Sequence, residues 1–198
     1  MGPVVQYDPG QTPISEDEIE GLRIKSITTQ GELNEVERLN IEQAIDWTLR
    51  RRFSAADIFT EEFVMELHKR MYADVWKWAG SFRKSDKNIG VDWFIIPTQL
   101  KALLDDASFW HENETFPPDE QAIRFKHRIV SIHCFSNGNG RHSRLIADVI
   151  ASHVYKLPVF TWSAGNLIQN GNERNYYLAA LKLADAGEIH PLIQFARW

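Results

Sequence analysis

The segment at residues 133–144, HCFSNGNGRHSR, brings together residue types that can bind and act on a phosphate. Glycine permits crowded or left-handed backbone conformations that other residues resist. If a helix begins behind the glycines, its first N–H groups have no intrahelical partner and lie at the positive end of the helix dipole, where anions bind readily. Gly138, Asn139 and Gly140 would then form a phosphate cradle, to which Asn139 adds a side-chain amide.

Two arginines and one histidine add charge and a proton acceptor to this cradle. Arg141 and Arg144 stand three residues apart, so a helix presents both to one site. Their planar guanidinium groups suit phosphate oxygens. His133 precedes the glycines, and an imidazole with an ordinary pKa of about 6.5 can take up a proton at cellular pH. A base beside a polyphosphate site predicts phosphoryl or nucleotidyl transfer to a hydroxyl.

Each of these residues alone also has a structural explanation. His133 can cap the last carbonyls of a preceding helix, and two glycines are typical of a connector between helices. The combination within one short segment is what favours the phosphate site. Zinc-dependent hydrolysis by His127, His133 and His142 is a less favoured alternative, because their spacing departs from patterns such as HExxH.

The elements around this segment are predicted to be mainly helical, because apolar residues recur at helical spacing. Thr29 and Glu32 form a capping-box pattern at the start of a long helix over about 29–52. Residues 78–97 are typical of a polar β-hairpin or flap. Further helices are predicted at 55–76, from Pro97, from Pro117-Pro118-Asp119 towards His133, from near Gly140, at about 170–186 and after Pro191.

Length and composition suit one domain, 26–198, behind an extended arm, 1–25. The net charge of −5 argues against a protein whose main task is direct nucleic-acid binding. No apolar run approaches the length of a membrane span. The single cysteine, Cys134, fits a reducing compartment, and the N-terminus lacks a signal-peptide pattern, so a cytoplasmic location is expected.

The glycine-rich segment resembles the motif of the Fic family, His-Pro-Phe-x-acid-Gly-Asn-Gly-Arg-x-x-Arg. The matching positions are His133, Phe135, Gly138, Asn139, Gly140, Arg141 and Arg144. Trp78-Ala79-Gly80 is similar to the entry of the family's target-binding flap, and the region around Tyr177 is similar to its C-terminal helices. The similarity spans about residues 25–197, and the chain looks most like the small bacterial group called mobile mystery protein B.

The resemblance implies a fold and an activity. The fold is a Fic-type helical bundle with a short β-hairpin flap and an N-terminal helix packed at the active site. The activity is that of a protein adenylyltransferase, which transfers AMP from ATP to a hydroxyl side chain of a target protein, with Mg²⁺ or Mn²⁺ as the metal. A second copy of the chain is a further candidate partner.

The same resemblance implies roles for the motif residues. His133 would deprotonate the target hydroxyl, and the cradle at 138–140 would bind the phosphates. Arg141 would neutralise these phosphates, and Arg144 would hold the γ-phosphate. Phe135 would anchor the loop in the core, and Tyr177 would line the adenine pocket.

Two further elements acquire roles by resemblance. The flap would pair with an extended target segment by strand addition, through Lys87, Asn88, Ile89, Gly90 and Val91. Residues 28–32, TTQGE, fit the first five positions of the family's inhibitory pattern Ser/Thr-x-x-x-Glu-Gly/Asn. This implies that Glu32 pairs with Arg144 and excludes a productive γ-phosphate, while the capping box remains the alternative role of this glutamate.

The chain departs from the family motif at two positions. Cys134 replaces a proline, and a small buried cysteine can pack in its place. Asn137 replaces the acid that ligates the metal, and its carboxamide offers one neutral oxygen, whereas Mg²⁺ prefers anionic ligands. The substitution keeps a second hypothesis open, in which the chain is a nucleotide-binding or partner-binding module with weak catalysis.

Overall fold

The computed structural model describes residues 19–162 and 171–198. Within these ranges the chain is mainly helical, and the only β-type pairing is an isolated bridge between Leu22 and Trp76. The α-helices are α1 (Gln30–Leu49), α2 (Ala55–Ile58), α3 (Glu61–Tyr72), α4 (Ile96–Glu112), α5 (Pro118–Ile132), α6 (Asn139–Val149), α7 (Gly171–Asp185) and α8 (His190–Arg197). Most of the predicted arm, up to residue 18, lies outside the described residues. No helix of the described part is long and apolar enough to cross a membrane.

The N-terminal helix α1 begins at the predicted capping box. Thr29 Oγ1 accepts a hydrogen bond from the Glu32 N–H at 3.2 Å, and the Glu32 carboxylate accepts one from the Thr29 N–H at 3.1 Å. These two bonds satisfy N–H groups that a helix start otherwise leaves without partners. The helix ends at Leu49, short of the predicted residue 52, and packs along α3.

The predicted helix over 55–76 is in fact two helices, α2 and α3. Ser54 and Thr60 each accept a hydrogen bond from a backbone N–H in the first turn that follows, so each starts its own helix. Such N-caps outweigh a continuous apolar pattern because they satisfy the free N–H groups of a new helix start.

Helices α5 and α6 form the centre of the described fold. They pack against each other, with α3 against α6 and with α4 and α8 against α5. A 3₁₀ turn, Trp93–Ile95, leads into α4, and a π-helical turn, Ile150–Val154, continues α6. The glycine-rich segment begins in the connection between α5 and α6 and continues into α6. The two central helices of the bundle therefore fix both ends of this connection.

The predicted β-hairpin is wrong for residues 81–92, hereafter the flap segment, which contain no strand. Both limbs of this segment bond to the end of α5 instead of to each other. The Arg83 N–H donates to the Cys134 carbonyl at 3.0 Å, and the Val91 N–H donates to the Ile132 carbonyl at 3.3 Å. The buried Arg83 side chain lies between the limbs. It donates a hydrogen bond to the Val91 carbonyl, which in a hairpin would instead accept one from the opposite strand.

Candidate active site

His133 terminates α5 in a left-handed conformation, with φ 60° and ψ 59°. A non-glycine residue adopts these angles only where its surroundings hold it. Its carbonyl accepts a hydrogen bond from Arg83 Nε at 2.7 Å. The flap segment covers the side chain, because a Cβ added to Gly90 would lie only 2.5 Å from the Cβ of His133. The predicted base is therefore a buried residue beneath the flap segment.

The environment of His133 keeps its imidazole neutral. Burial lowers its pKa to about 4, and the positive charges of Arg83 and Lys87 act in the same direction. A hydrogen bond with the Val130 backbone opposes these effects. At neutral pH the ring is thus in the form that can accept a proton, although a low pKa also makes it a weak base.

Asn139 closes the motif loop through its side chain. Its Oδ1 accepts a hydrogen bond from the Phe135 N–H at 2.9 Å, and its Nδ2 donates to the Phe135 carbonyl at 2.7 Å. Phe135 is fully buried and stacks on His68 with 3.7 Å between the ring centres, in agreement with its predicted anchoring role. Both polar atoms of the Asn139 amide thus hold the loop, and its contact with the phosphates stays a prediction.

The two glycines of the cradle differ in their surroundings. Gly138 caps α6 with φ +78°, and a Cβ placed there would lie 2.5 Å from the ring of Tyr72. Gly140 belongs to the first turn of α6, and a Cβ there would meet nothing within 4 Å. Gly138 is thus required for backbone conformation and close packing. Gly140 leaves open space at a helix N-terminus, where phosphate oxygens can bind.

Arg141 is paired with a carboxylate that sequence reasoning missed. Its Nη1 lies 2.7 Å from Glu37 Oε2, and Glu37 is 3% exposed. Trp76 Nε1 donates to the other oxygen of Glu37 at 2.7 Å. Glu37 falls on the buried stripe of α1 that also contains Leu33 and Ala44. A charged residue at that helical spacing is the signal that identifies it.

Arg144 lies against a second buried group, on α7. Its guanidinium carbon is 5.9 Å from the centre of the Tyr177 ring. The Tyr177 hydroxyl accepts a hydrogen bond from the buried Lys126 Nζ at 2.5 Å. Burial acts to raise the pKa of Tyr177, but the charges of Lys126 and Arg144 lower it overall. Tyr177, predicted to line an adenine pocket, is here a buried partner of two cations.

Glu32, the predicted inhibitory residue, does not pair with Arg144. Its carboxylate accepts hydrogen bonds from the Thr28 N–H at 2.9 Å and from the Thr29 N–H, which together hold its pKa below the ordinary value. The side chain is therefore used by the capping box at the start of α1. The ion pair that does join α1 to the motif is formed by Glu37 and Arg141.

The residues at the predicted metal position do not fit a protein-bound Mg²⁺. Asn137 offers one neutral oxygen, and this oxygen already accepts a hydrogen bond from the Gly138 N–H at 2.5 Å. Mg²⁺ is usually held by one or two carboxylates together with phosphates and water. Across residues 19–162 and 171–198, no group of three His, Cys, Asp or Glu side chains is arranged to hold a metal ion. The same finding counts against the zinc alternative, since His127, His133 and His142 do not form such a group.

The predicted target-binding residues, 87–91, lie on the part of the flap segment next to His133. Asn88, Ile89 and Gly90 are exposed, while Lys87 and Val91 are half-buried. Trp93 and Phe94, at the start of the 3₁₀ turn that follows, are exposed large apolar side chains. Gly90 is the part of this segment that approaches His133.

The arrangement combines a neutral base, an open helix N-terminus and two arginines on one helix, which defines a site for an anionic donor next to a proton acceptor. Residues 58–151 match the family model of the Fic/DOC family. The chain is 28% identical over 168 residues to "Protein adenylyltransferase Fic" of Aedes aegypti, covering 83% of this chain and 32% of that protein. It is 31% identical over 136 residues to the protein of the same name in Drosophila yakuba, covering 67% and 26%. The chain thus spans about a third or less of the length of these curated relatives.

Solved structures show the same fold. The BepC protein of Bartonella tribocorum, solved with bound AMPPNP, superposes with a TM-score of 0.68 over 92% of this chain and 97% of that chain, at 14% identity. Fic-1 of C. elegans gives a TM-score of 0.64 over 90% and 51%, at 22% identity. The chain therefore shares the fold of these proteins, and its residues 58–151 are similar to the Fic/DOC family.

Proposed function

We propose that this chain is a protein adenylyltransferase, which transfers AMP from ATP to a hydroxyl side chain of a target protein. The observation that carries the proposal is the position of His133, a buried neutral imidazole directly before the open N-terminus of α6. The curated relatives support it through their name, protein adenylyltransferase. The roles assigned to the motif residues by resemblance are part of this proposal.

In the proposed reaction, His133 accepts the proton of the target hydroxyl. The hydroxyl oxygen forms a bond to the α-phosphorus of ATP, and the bond from that phosphorus to the oxygen bridging to the β-phosphate breaks. Pyrophosphate leaves with the bonding electrons. The first N–H groups of α6, together with Arg141 and Arg144, stabilise the negative charge that develops on the phosphates.

No step of this proposal passes through a metal ion, because Asn137 gives Mg²⁺ or Mn²⁺ no protein carboxylate. The same observation supports a second candidate function, a module that binds ATP or a partner protein with little transfer. The pair between Arg141 and Glu37 affects both candidates alike, since ATP must compete with a carboxylate for the guanidinium group.

The partner in the proposed reaction is a protein whose extended segment lies along the flap segment. Strand addition would use the exposed part, 88–90, since the Val91 N–H is already bonded to Ile132. A second copy of the chain is the simplest target to test, because label on the chain itself reports it. A cytoplasmic location and membership of the bacterial mobile mystery protein B group belong to the same proposal.

Labelled ATP distinguishes the candidates. The chain is incubated with ATP labelled at the α- or the γ-phosphate, with Mg²⁺, with Mn²⁺ and with chelator. Protein label from the α-position alone, lost in His133→Ala and kept in His190→Ala, supports AMP transfer. His190 is the matched control because it is exposed on α8.

Two other results would count against the proposal. Label from the γ-position would indicate a kinase-like transfer, in which the terminal phosphate moves. ATP binding without label, in a variant that frees Arg141 as well as in the unaltered chain, would favour the binding module.

A further inference from the structure

Arg83 is a buried arginine of the flap segment whose side chain bonds to three backbone carbonyls. It is 2% exposed. Its Nε donates to the His133 carbonyl at 2.7 Å, its Nη1 donates to Ser85 at 2.8 Å, and its Nη2 donates to Val91. The nearest carboxylate is that of the exposed Asp86, at 3.7 Å from Nη1. The planar fork of arginine can hold several acceptors in fixed directions, which an ammonium group cannot do.

Arg83 bonds to two successive carbonyls at the turn, those of His133 and Cys134. Its side chain holds the His133 carbonyl, and its own N–H donates to the Cys134 carbonyl at 3.0 Å. Because the left-handed conformation of His133 persists only where the structure enforces it, these bonds are direct candidates for that enforcement. The backbone that carries the imidazole is thus bonded to a residue outside the glycine-rich motif.

The flap segment closes on His133 at one glycine. A Cβ at Gly90 would lie 2.5 Å from His133 Cβ, 3.0 Å from Arg83 Nη2 and 3.2 Å from the Ile132 carbonyl. Gly90 also has φ +99°, a conformation that side chains disfavour. Only glycine permits this approach, and Arg83 maintains it through its bond to the adjacent Val91 carbonyl.

We propose that Arg83 is the positioning residue of His133, joining its carbonyl to the flap segment as one unit so that the segment acts as a cover over the base. This inference rests on the proposed function only in treating His133 as the base. A target chain that pairs with residues 88–90 and draws them away from His133 would lift the cover and return water to the imidazole. Target binding and activation of the base would then be one event.

The charges around His133 make this cover measurable. With the cover in place, burial together with Arg83 and Lys87 lowers the pKa of His133 to about 4. From α5, the Val130 backbone acts in the opposite direction. The neighbouring Cys134 is uncharged, because burial raises the pKa of its thiol to about 12. Displacement of the cover removes the desolvation, so the pKa of His133 must rise.

A histidine titration followed by NMR tests the proposal without any substrate. The signal of His133 is assigned by its loss in His133→Ala, and its pKa is measured in the unaltered chain, Arg83→Met and Gly90→Ala. We expect both substitutions to raise the pKa of His133 by about one unit or more, as removal of a nearby like charge or of burial does. Lys84→Met is the matched control, because Lys84 is an exposed cation next to Arg83, and it should leave the pKa unchanged.

Hydrogen exchange gives a second measurement if Arg83→Met does not fold. Arg83→Lys keeps the charge but loses the fork, so the Val91 N–H should exchange faster than in the unaltered chain, while amides within α6 keep their protection. An unchanged pKa of His133 in folded Gly90→Ala would overturn the proposal, as would unchanged exchange of the Val91 N–H in Arg83→Lys. A chain that binds ATP without transferring label would refute the proposed function and leave these two results standing.

Discussion

Replacement of Glu37 by glutamine tests whether α1 restrains the candidate phosphate site. Glu37 is buried, accepts a hydrogen bond from Trp76 Nε1 and pairs with Arg141 at 2.7 Å. Glutamine keeps the shape and can keep the bond from Trp76, but it removes the negative charge. Arg141 can then pair with the phosphates of ATP instead of with residue 37.

The magnitude follows from the geometry of the pair. Two unit charges about 4 Å apart interact by about 4 kcal/mol at an effective dielectric constant of about 20. The Arg141 side chain is 34% exposed, so solvent screening reduces this to about 2 kcal/mol. If ATP must displace Glu37 from Arg141, the substitution lowers the Kd for ATP by up to roughly 30-fold, since about 1.4 kcal/mol is tenfold.

Calorimetric titration with ATP and urea unfolding measure the two consequences. Glu37→Gln should bind ATP more tightly and at the same time unfold more easily, by about 2 kcal/mol, because the same ion pair stabilises the folded chain. Glu35→Gln is the matched control on the same helix, since Glu35 is exposed and pairs with the exposed Arg38. An unchanged Kd in a folded, destabilised Glu37→Gln would refute the reasoning.

Three other substitutions in and around the motif have defined outcomes. Gly138→Ala should lower the free energy of unfolding by about 2 kcal/mol or more, because of its positive φ and the approach to Tyr72. Asn139→Ala should lower it by roughly 3 kcal/mol, since the buried N–H and carbonyl of Phe135 lose their partners. Burial lowers the pKa of His142 to about 4, so between pH 4 and 6.5 the unfolded chain binds a proton at this residue that the folded chain does not. The free energy of unfolding should therefore fall by about 3 kcal/mol from His142 as the pH drops from about 6.5 to about 4. Urea unfolding at several pH values should show a flatter pH dependence for His142→Gln.

Local signals predicted the parts of this protein that depend on neighbouring residues. The capping box of α1 is readable from Thr29 and Glu32, and the left-handed end of α5 lies where the glycine-rich segment begins. The motif loop is also a local structure, because the two hydrogen bonds that close it join Phe135 and Asn139, which are only four residues apart.

Sequence reasoning fell short where the partner of a residue is distant in the chain. Glu32 fits an inhibitory pattern, yet the glutamate that meets the motif is Glu37, which pairs with Arg141 on a different helix. The hairpin pattern in the flap segment is a local signal too, and the buried guanidinium of Arg83 overrides it by bonding to the end of α5. Periodicity places a residue on a helix face but does not specify what that face meets.

The two elements outside the motif act on different parts of the site. Glu37 on α1 pairs with Arg141, the arginine proposed to bind phosphate. Arg83 in the flap segment bonds to the carbonyl of His133, the proposed base. If they are independent, Glu37→Gln changes the Kd for ATP without changing the pKa of His133, and Gly90→Ala does the reverse. The double variant should then show both effects at full size, as distant sites without shared partners do. A coupled result would mean that nucleotide binding and the uncovering of the base share one conformational change.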